Sequence, residues 1–375
     1  MIQCEQFYNL LLSNNIDFFT GVPDSLLKDF CSFIYDNVEG KKNIIAANEG
    51  NAVALAAGYY LATGKYGLVY MQNSGQGNAI NPLVSLADIE VYGIPMILLI
   101  GWRGEPGKKD EPQHVKQGKI TLKLLEVLEI PYSILPEDME ETSEEIKKAV
   151  KIIKLNKCPY AFVVRKGTFS QYQSSRNEEL SYTLYREEAL KLIVDNLDPD
   201  DIIVSTTGKI SRELFEYREL KRQGHEKEFL TIGSMGHASQ IALSIATEKS
   251  NRNVYCFDGD GALIMHMGAL ATVGAISPRN FKHIVFNNGA HDSVGGLQTV
   301  AFKINIPEIA KACGYRNVFS AETKKGIIKS LEKLKSIDGP SLLELKINKG
   351  ARKNLGRPTI APKQNKIDFM NFLKE

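Results

Sequence analysis

Two groups of oxygen-bearing side chains in the second half of the chain have the types and the spacing of a metal site. Asp260 stands in Asp258-Gly259-Asp260-Gly261, directly after an apolar run, and Asn288 follows the next apolar run 28 residues later (288 − 260). Carboxylate and amide oxygens are hard ligands that suit Mg²⁺, which keeps several waters and binds phosphates. The two residues therefore predict a Mg²⁺ site that holds a phosphate-bearing ligand.

The Asp260 segment also has a plain structural interpretation. Asp-Gly is a common turn pair, so the segment could be only a tight turn. It is not the dinucleotide fingerprint, because the third Gly of that motif is missing after Gly261. The Gly107-Lys108 pair is not a Walker loop either, because it lacks the earlier Gly and the following Ser or Thr.

A parallel sheet would bring the two groups together. Short apolar runs alternate with segments of helical period, which is typical of repeated βα units and predicts an α/β fold. The carboxyl ends of neighbouring strands then meet at one edge, where ligands bind, and a helix that starts after Ala262 directs its free N–H groups at phosphates there. Predicted strands are residues 68–71, 96–100, 201–205, 254–257 and 284–286; predicted helices are residues 50–63, 78–92, 185–196, 237–248 and 265–276.

The alternation repeats once along the chain. A shift of 186 positions (236 − 50) places Gly50 on Gly236 and Gly75 on Gly261. The identities are few, and a common α/β rhythm could produce the same match, but the order of strands and loops agrees as well. We therefore predict two similarly wound parallel-sheet domains, residues 1–166 and 182–375, joined by a polar linker of residues 167–181.

Composition excludes several classes of protein. The chain has 375 residues and a formal net charge of +2, which gives no strong electrostatic footprint for nucleic acid or a membrane surface. The longest apolar stretch, residues 94–100, is far shorter than the roughly 20 residues that span a bilayer. The first residues lack the pattern of a secretory signal, and the five cysteines are widely separated. We expect a cytoplasmic protein with reduced thiols and no nucleic-acid or membrane partner.

The metal motif resembles the signature of the thiamine diphosphate-dependent enzymes. The resemblance implies that Asp260, Asn288 and the backbone carbonyl of Ala290 hold Mg²⁺ on the diphosphate of the cofactor. Upstream, Gly233-Ser234-Met235-Gly236 is similar to the family's loop, in which the carbonyl of Gly233 receives the aminopyrimidine and Met235 props the cofactor in a V shape. The alternative for this loop is a helix N-cap with a core Met. Further residues implied in cofactor binding are Gly259, Gly261 and Ala262.

The first half supplies a carboxylate. Glu49 in Asn48-Glu49-Gly50-Asn51 matches the family's glutamate that hydrogen-bonds the pyrimidine ring and promotes formation of the ylid. Alone, a Glu ahead of an Ala-rich helix could simply favour the helix dipole. The resemblance implies a pyrimidine-binding domain followed by a diphosphate-binding domain without a middle domain. It also implies a homodimer or larger assembly, because the family builds its site between the first domain of one chain and the second domain of another.

Further motifs resemble a branch of 2-oxo acid decarboxylases that act on phosphonopyruvate or sulfopyruvate. These motifs are residues 20–25, 104–107, 110–114 and 288–296, and the last is closer to the phosphonopyruvate branch. The implied reaction is the decarboxylation of 3-phosphonopyruvate to phosphonoacetaldehyde and CO₂ through an ylid and an enamine. The alternatives are a sulfopyruvate decarboxylase and, from another class, a non-catalytic Mg²⁺-nucleotide-binding α/β protein, which would need neither Glu49 nor Met235.

The remaining candidates concern the proton and the substrate anion. Asp24 and His114 follow apolar runs in predicted loops and match family positions, so we expect an acid and a proton relay; a turn residue and a solvated His are the alternatives. A phosphonate dianion needs fixed positive charge. We assign it to Arg103, Lys108 and Lys109, in a Gly- and Pro-rich segment (101–118) that has the composition of a mobile lid, and to His291, which with Asp292 is expected at the entrance of the site.

Overall fold

The computed structural model describes residues 1–176 and 181–374. The chain divides into two compact units, Met1–Asn177 and Glu178–Glu375, a division that falls inside the predicted linker. The first part of that linker belongs to unit 1, since Asp36 accepts hydrogen bonds from the Ser174 hydroxyl and the Ser175 N–H, both at 2.8 Å. Within the described residues, no helix is both long and apolar enough to cross a bilayer.

Unit 1 is built on a six-stranded parallel sheet. The strands are β1 (Ile16–Gly21), β2 (Asn43–Ile45), β3 (Tyr66–Gln72), β4 (Ile97–Gly101), β5 (Tyr132–Ile134) and β6 (Tyr160–Val164), in the order β2-β1-β3-β4-β6-β5. The central strands are apolar and buried at nearly every position, as expected when helices cover both faces of a parallel sheet. Val69, Leu98 and Val163 from three of these strands contribute to one core.

The helices of unit 1 connect these strands. They are α1 (Cys4–Ser13), α2 (Lys28–Asn37), α3 (Glu49–Thr63), α4 (Gln76–Pro82), α5 (Pro112–Val127) and α6 (Met139–Asn156). Helix α3 begins where the Asn48 side chain accepts a hydrogen bond from the N–H of Asn51, and it ends at Gly64 in the left-handed region. These two caps fix the position of Glu49 in the first turn.

Unit 2 repeats the same plan. Its main sheet contains β7 (Ile202–Ser205), β8 (Glu228–Leu230), β9 (Val254–Gly259), β10 (Phe281–Asn287), β13 (Asn317–Ala321) and β14 (Ser341–Lys346), and a short antiparallel pair is formed by β11 (Ala290–His291) and β12 (Leu297–Gln298). The order β8-β7-β9-β10-β14-β13 is that of unit 1 strand for strand. The prediction of an α/β fold with two similarly wound parallel sheets is confirmed.

The helices of unit 2 lie between these strands. They are α7 (Arg186–Val194), α8 (Lys209–Leu220), α9 (Ala238–Glu248), α10 (Asp260–Met265), α11 (Ala269–Ile276), α12 (Ile306–Ala312), α13 (Lys324–Ser336) and α14 (Pro362–Phe372). In each sheet the second strand lies on one side of the first strand, and the third strand lies on its other side. The gap between β1 and β3, and between β7 and β9, is therefore the topological switch point at which α/β sheets bind ligands.

Three expectations about helices need correction. The helix predicted over 78–92 begins at Gln76 and stops at Ala87, and it widens into a π-helix after Pro82, which lacks an N–H. The helix predicted over 265–276 begins only at Ala269, as α11, because a separate helix, α10, ends at Met265 and His266 leaves the helical region. The segment 101–118 is not one long loop, because Pro112 starts α5.

Candidate active site

The predicted metal ligands of unit 2 lie at the carboxyl ends of adjacent strands. Strands β9 and β10 pair in parallel with Phe286 opposite Gly259, so Asp260 and Asn288 follow neighbouring strand ends. Asp260 is 2% exposed and Asn288 4% exposed. The backbone of Asn288 also hydrogen-bonds the Asp260 carboxylate. The structure therefore brings together the two side chains that the spacing singled out.

The Asp260 carboxyl is held in a desolvated position. The hydroxyl of Thr299 donates a hydrogen bond to Oδ2 of Asp260. Burial raises the pKa of Asp260 to about 7, although the hydrogen bond from Thr299 lowers it. A buried carboxylate is costly unless it is paired or coordinates a metal, so this position suits a carboxylate whose partner is a cation.

The loop after Asn288 is shaped by side-chain hydrogen bonds. The Oδ1 atom of Asn288 accepts from the N–H of Ala290 at 3.1 Å, and its Nδ2 atom donates to Asp292 at 2.9 Å. Gly289 has φ +64°, and a Cβ there would lie 2.3 Å from the ring of Phe302. The turn thus needs glycine. It places Ala290, the third predicted ligand, at the start of the β11–β12 hairpin.

A second loop packs against the same helix start. A Cβ on Gly261 would lie 3.4 Å from Cε of Met235 and 3.0 Å from the ring of His291. Met235 is only partly buried. Gly236, at φ +86°, approaches the carbonyl of Ala262 so closely that a Cβ would be 2.9 Å away. Three separate segments of the chain therefore meet around Gly261.

This arrangement fits magnesium and a diphosphate with an aromatic ring system. Two buried oxygen donors and a backbone segment lie at one sheet edge, as Mg²⁺ requires. A partly exposed thioether beside them offers an apolar, polarizable surface for a ring. His291 does not add charge, because burial lowers its pKa to about 4 and leaves the imidazole neutral near pH 7.

Glu49 lies in the first turn of α3 in unit 1. Its side chain is buried, with the residue 5% exposed, and its Oε2 atom accepts a hydrogen bond from Nδ2 of Asn78 at 2.7 Å. Burial raises the pKa of Glu49 above its ordinary value. The carboxyl packs directly on Gly75, where a Cβ would lie 2.4 Å from Oε1. A buried carboxyl with few partners is suited to exchange a proton or a hydrogen bond with a ligand.

Asp24 lies at the switch point of unit 1, just after β1. Its Oδ1 atom accepts from Nε2 of Gln72 at 2.7 Å and its Oδ2 atom accepts from the N–H of Leu26 at 2.8 Å. The residue is fully buried, and this burial raises its pKa. Gly101 at the end of β4 leaves room for this carboxyl, since a Cβ there would lie 2.2 Å from Oδ2.

Arg103 is fixed beside Asp24 rather than exposed. Its Nε atom donates to Asp110 at 2.8 Å, and its Nη1 atom donates to the hydroxyl of Ser25 at 2.9 Å. Although burial acts in the opposite direction, the hydrogen bond from Arg103 holds the pKa of Asp110 well below its usual range. The charge of Arg103 is therefore largely offset by Asp110, whereas Lys108 and Lys109 are exposed.

His114 lies in the first turn of α5, not in a loop as expected, because Pro112 begins the helix. It is buried, and its backbone carbonyl touches Gly104, where φ is +71° and a Cβ would lie 2.0 Å from the oxygen. The nearby Trp102 is buried and donates from Nε1 to the carbonyl of Gly118 at 2.9 Å. The base of the proposed lid is thus packed against α5.

Several polar residues at these edges escaped the sequence analysis. Gln72 follows an apolar run, as Asp260 does, so it could have been predicted to lie at the carboxyl end of a strand. Lys209 follows the run 201–205 and was open to the same argument. Thr299 gives no such signal, because it reaches Asp260 only through the β11–β12 hairpin, 39 residues away.

Family descriptions match both units. Residues 4–125 match "Thiamine pyrophosphate enzyme, N-terminal TPP binding domain". Residues 206–345 match "Thiamine pyrophosphate enzyme, C-terminal TPP binding domain". Thiamine pyrophosphate is another name for thiamine diphosphate. The two matched ranges contain Glu49 in the first case and Asp260 with Asn288 in the second.

Two relatives are similar along nearly the whole chain, and a third is similar along about half of it. A phosphonopyruvate decarboxylase of Streptomyces viridochromogenes is 34% identical over 368 residues, which cover 94% of this chain and 90% of that protein. A sulfopyruvate decarboxylase of Methanosarcina acetivorans is 28% identical over 379 residues, covering 95% and 93%. A sulfopyruvate decarboxylase subunit beta of Methanococcus maripaludis is 31% identical over 194 residues, covering 51% of this chain and 99% of the subunit.

The chain belongs to the thiamine pyrophosphate enzymes. The predicted cofactor, thiamine diphosphate with Mg²⁺ as its usual partner metal, is confirmed at the level of the family. A non-catalytic nucleotide-binding protein is thereby set aside. Within the family, the chain is similar to decarboxylases of 2-oxo acids that carry a phosphonate or a sulfonate. The roles of single residues stay predictions.

Proposed function

We propose that this protein catalyses the non-oxidative decarboxylation of 3-phosphonopyruvate to phosphonoacetaldehyde and CO₂. The bond between the keto carbon and the carboxylate breaks, CO₂ leaves, and one proton takes its place on that carbon. The observation that carries the proposal is the 34% identity to a phosphonopyruvate decarboxylase over 90% of that protein's length. The buried polar groups at the sheet edges of both units support it.

Unit 2 would hold the cofactor through its metal. Asp260 and Asn288, with the carbonyl of Ala290, would bind Mg²⁺ against the diphosphate, and Met235 would support the V shape of the cofactor. Thiamine diphosphate supplies an electron sink for the electrons released when CO₂ departs. The protein's contribution is to place the ring, exclude water and position protons.

Unit 1 would supply the side chains that hold and transfer protons. Glu49, whose pKa is raised by burial, would hydrogen-bond the pyrimidine ring and hold a proton there. Asp24 also has a pKa raised by burial, which keeps it protonated to higher pH than an exposed Asp. It would donate a proton to the carbon that loses CO₂, and His114 would relay protons to it.

The phosphonate needs donors and positive charge. Arg103 lies near Asp24 with a fixed orientation, and Lys108 and Lys109 are exposed on the following loop. Asp110 already offsets much of the charge of Arg103, so the loop lysines would supply the remainder. His291 is neutral near pH 7 and would contribute a hydrogen bond rather than a charge.

We also infer that the protein works as a homodimer or larger assembly, with unit 1 of one copy and unit 2 of another forming each site. Glu49 and Asp260 stand in different units, and the relative from Methanococcus maripaludis is named as a subunit. Co-expression of Glu49→Gln and Asp260→Asn chains tests this. In a mixed dimer with shared sites, one site has both residues intact, so random pairing restores about one quarter of wild-type activity. Restoration no greater than the two variants show alone would contradict shared sites.

The test of the reaction is aldehyde formation from phosphonopyruvate, sulfopyruvate and pyruvate, each with thiamine diphosphate and Mg²⁺ added or withheld. Cofactor-dependent turnover led by phosphonopyruvate is expected. Turnover led by sulfopyruvate would favour the second candidate, which the relative from Methanosarcina acetivorans supports. Turnover of none of the three by the loaded protein would refute the decarboxylase assignment. The cytoplasmic location expected from the sequence stays a prediction, which cell fractionation checks.

A further inference from the structure

The ammonium of Lys209 has no hydrogen-bond acceptor among the described residues. It is the first residue of α8, directly after the loop that leaves β7. Burial lowers the pKa of its ammonium, and the nearest carboxylate oxygen, Oδ2 of Asp292, is 4.0 Å away. Within residues 1–176 and 181–374 the ammonium makes no hydrogen bond. A partly buried cation without an acceptor is unfavourable, so this position is suited to a ligand that brings one.

Asp292 is already engaged by other donors. Its Oδ2 atom accepts from Nη1 of Arg186 at 2.7 Å and from Nδ2 of Asn288 at 2.9 Å. Arg186 in turn donates twice to Glu213, at 2.8 and 2.9 Å. The guanidinium of Arg186 is therefore committed to the protein, whereas the carboxylate nearest to the Lys209 ammonium among the described residues is 4.0 Å away. Lys209 keeps its donors for another acceptor.

The position of Lys209 is that of the predicted cofactor edge. Strands β7 and β9 flank the switch point of unit 2, and Lys209 follows the first while Asp260 follows the second. Gly208, at φ +99°, lies so close to the metal loop that a Cβ would be 3.1 Å from Oγ of Ser293. Asp292 contacts both Lys209 and Asn288. Asp292 thus lies between the ammonium of Lys209 and Asn288, a predicted metal ligand.

Charge balance indicates what the ligand is. Arg186 and Lys209 face Glu213 and Asp292, so the group is balanced before a ligand binds. A diphosphate brings more negative charge than Mg²⁺ beside the Asp260 carboxylate can offset. A phosphonate dianion held near the metal would add to that excess. The ammonium of Lys209 attracts the incoming anion in both cases, because Coulomb attraction is strong where water is scarce.

We propose that Lys209 binds a phosphorus oxyanion at this edge, either the diphosphate of the cofactor or the phosphonate of the substrate. Binding of the substrate phosphonate rests on the proposed function. Binding of the cofactor diphosphate rests only on family membership. Lysine binds phosphates as a compact point charge with three donors. Lys209 would act together with Asn288 and Asp260 while Arg186 keeps Asp292 in place.

The test compares Lys209→Met and Lys209→Gln with Lys209→Arg and with Lys329→Met. Lys329 is exposed on α13, so its replacement is the matched control for loss of one charge. Two titrations by calorimetry are needed. The first follows thiamine diphosphate with Mg²⁺ binding to the cofactor-free protein, and the second follows 3-phosphonopropanoate, which cannot be decarboxylated, binding to the loaded protein.

Loss of a cofactor contact raises the Kd of thiamine diphosphate about tenfold in Lys209→Met and Lys209→Gln, with partial recovery in Lys209→Arg. Loss of a substrate contact instead raises the Kd of 3-phosphonopropanoate about tenfold and leaves the cofactor Kd unchanged. Either result supports the proposal. If neither Kd differs by more than about twofold from the Lys329→Met control, or if the cofactor Kd is unchanged and the wild type binds no 3-phosphonopropanoate, the proposal is overturned.

These titrations do not depend on turnover. A wild-type protein that binds thiamine diphosphate but makes no aldehyde from phosphonopyruvate would refute the proposed function. The cofactor titration of the Lys209 variants would still decide whether the ammonium binds the diphosphate. The two failures are therefore distinguishable.

Discussion

Replacing Gly75 by Ala tests the placement of Glu49 with a single methyl group. The backbone of Gly75 is right-handed, with φ −69° and ψ −16°, so alanine fits the main chain. A Cβ there would lie 2.4 Å from Oε1, 2.6 Å from Cγ and 2.7 Å from Cδ of Glu49, whereas ordinary contacts begin at 3.4 Å. The carboxyl must shift by about 1 Å (3.4 − 2.4), and because Cγ also overlaps, a rotation of the carboxylate alone does not relieve the contact.

The expected cost falls on catalysis as well as on stability. Misplacing a catalytic group by about 1 Å lowers the rate about 100-fold, which corresponds to about 2.7 kcal/mol of transition-state stabilisation. Overpacking costs about 1–3 kcal/mol of the free energy of unfolding. The variant should therefore fold, bind the cofactor and turn over phosphonopyruvate with kcat reduced about 100-fold.

Gly77→Ala is the matched control. Gly77 lies two residues further along in α4, and a Cβ there meets nothing within 4 Å. Both variants are assayed for aldehyde formation at saturating cofactor and substrate, and their folding is compared by circular dichroism. If kcat of Gly75→Ala stays within about twofold of Gly77→Ala while both proteins are folded, the position of the Glu49 carboxyl does not limit the reaction.

Two further predictions concern the stability of unit 2. Arg186→Met leaves the buried Glu213 without its bidentate partner, so the free energy of unfolding should fall by about 3–5 kcal/mol in denaturant titrations; a loss under about 1 kcal/mol would contradict a buried ion pair. Burial lowers the pKa of His225, but hydrogen bonds to Glu228 and Glu219 outweigh it and raise the pKa above its ordinary value. Its contribution is therefore present below the unfolded pKa of about 6.5 and is lost as the pH rises through the folded pKa. His225→Gln should flatten this decline in thermal unfolding, and an unchanged pH profile would exclude His225 as its source.

Strand ends could be read from the sequence because buried parallel strands are continuous apolar runs. The runs before Asp260 and Asn288 end where β9 and β10 end, within two residues. Helix ends were harder to predict from the sequence where a proline lay in or near the helix. One predicted helix widens into a π-helix after Pro82, and Pro112 starts another helix in a segment that looked like a loop. In both cases proline changed which backbone hydrogen bonds could form.

Contacts between distant segments were beyond sequence reasoning for a different reason. The hydrogen bond from Thr299 to Asp260 and the ion pair of Arg186 with Asp292 join segments that are 39 and 106 residues apart. No periodicity connects such positions, because their meeting depends on how the sheet orders its strands. Only the known strand order places the Lys209 loop opposite Asp260 at the switch point.

The two units share one winding but differ in the chemistry at equivalent edges. At the switch point of unit 1 lies Asp24, a fully buried carboxyl whose polar contacts include Gln72. At that of unit 2 lies Asp260, a buried carboxyl that accepts hydrogen bonds from the Thr299 hydroxyl and from the backbone of Asn288. Burial raises the pKa of both carboxyls, but Asp24 lies near the guanidinium of Arg103, whereas Asp260 lies beside Asn288, whose amide oxygen is a second hard ligand for a metal. One repeated fold thus provides two different environments, which fits the proposed division of roles, with protons held in unit 1 and the metal and the diphosphate held in unit 2.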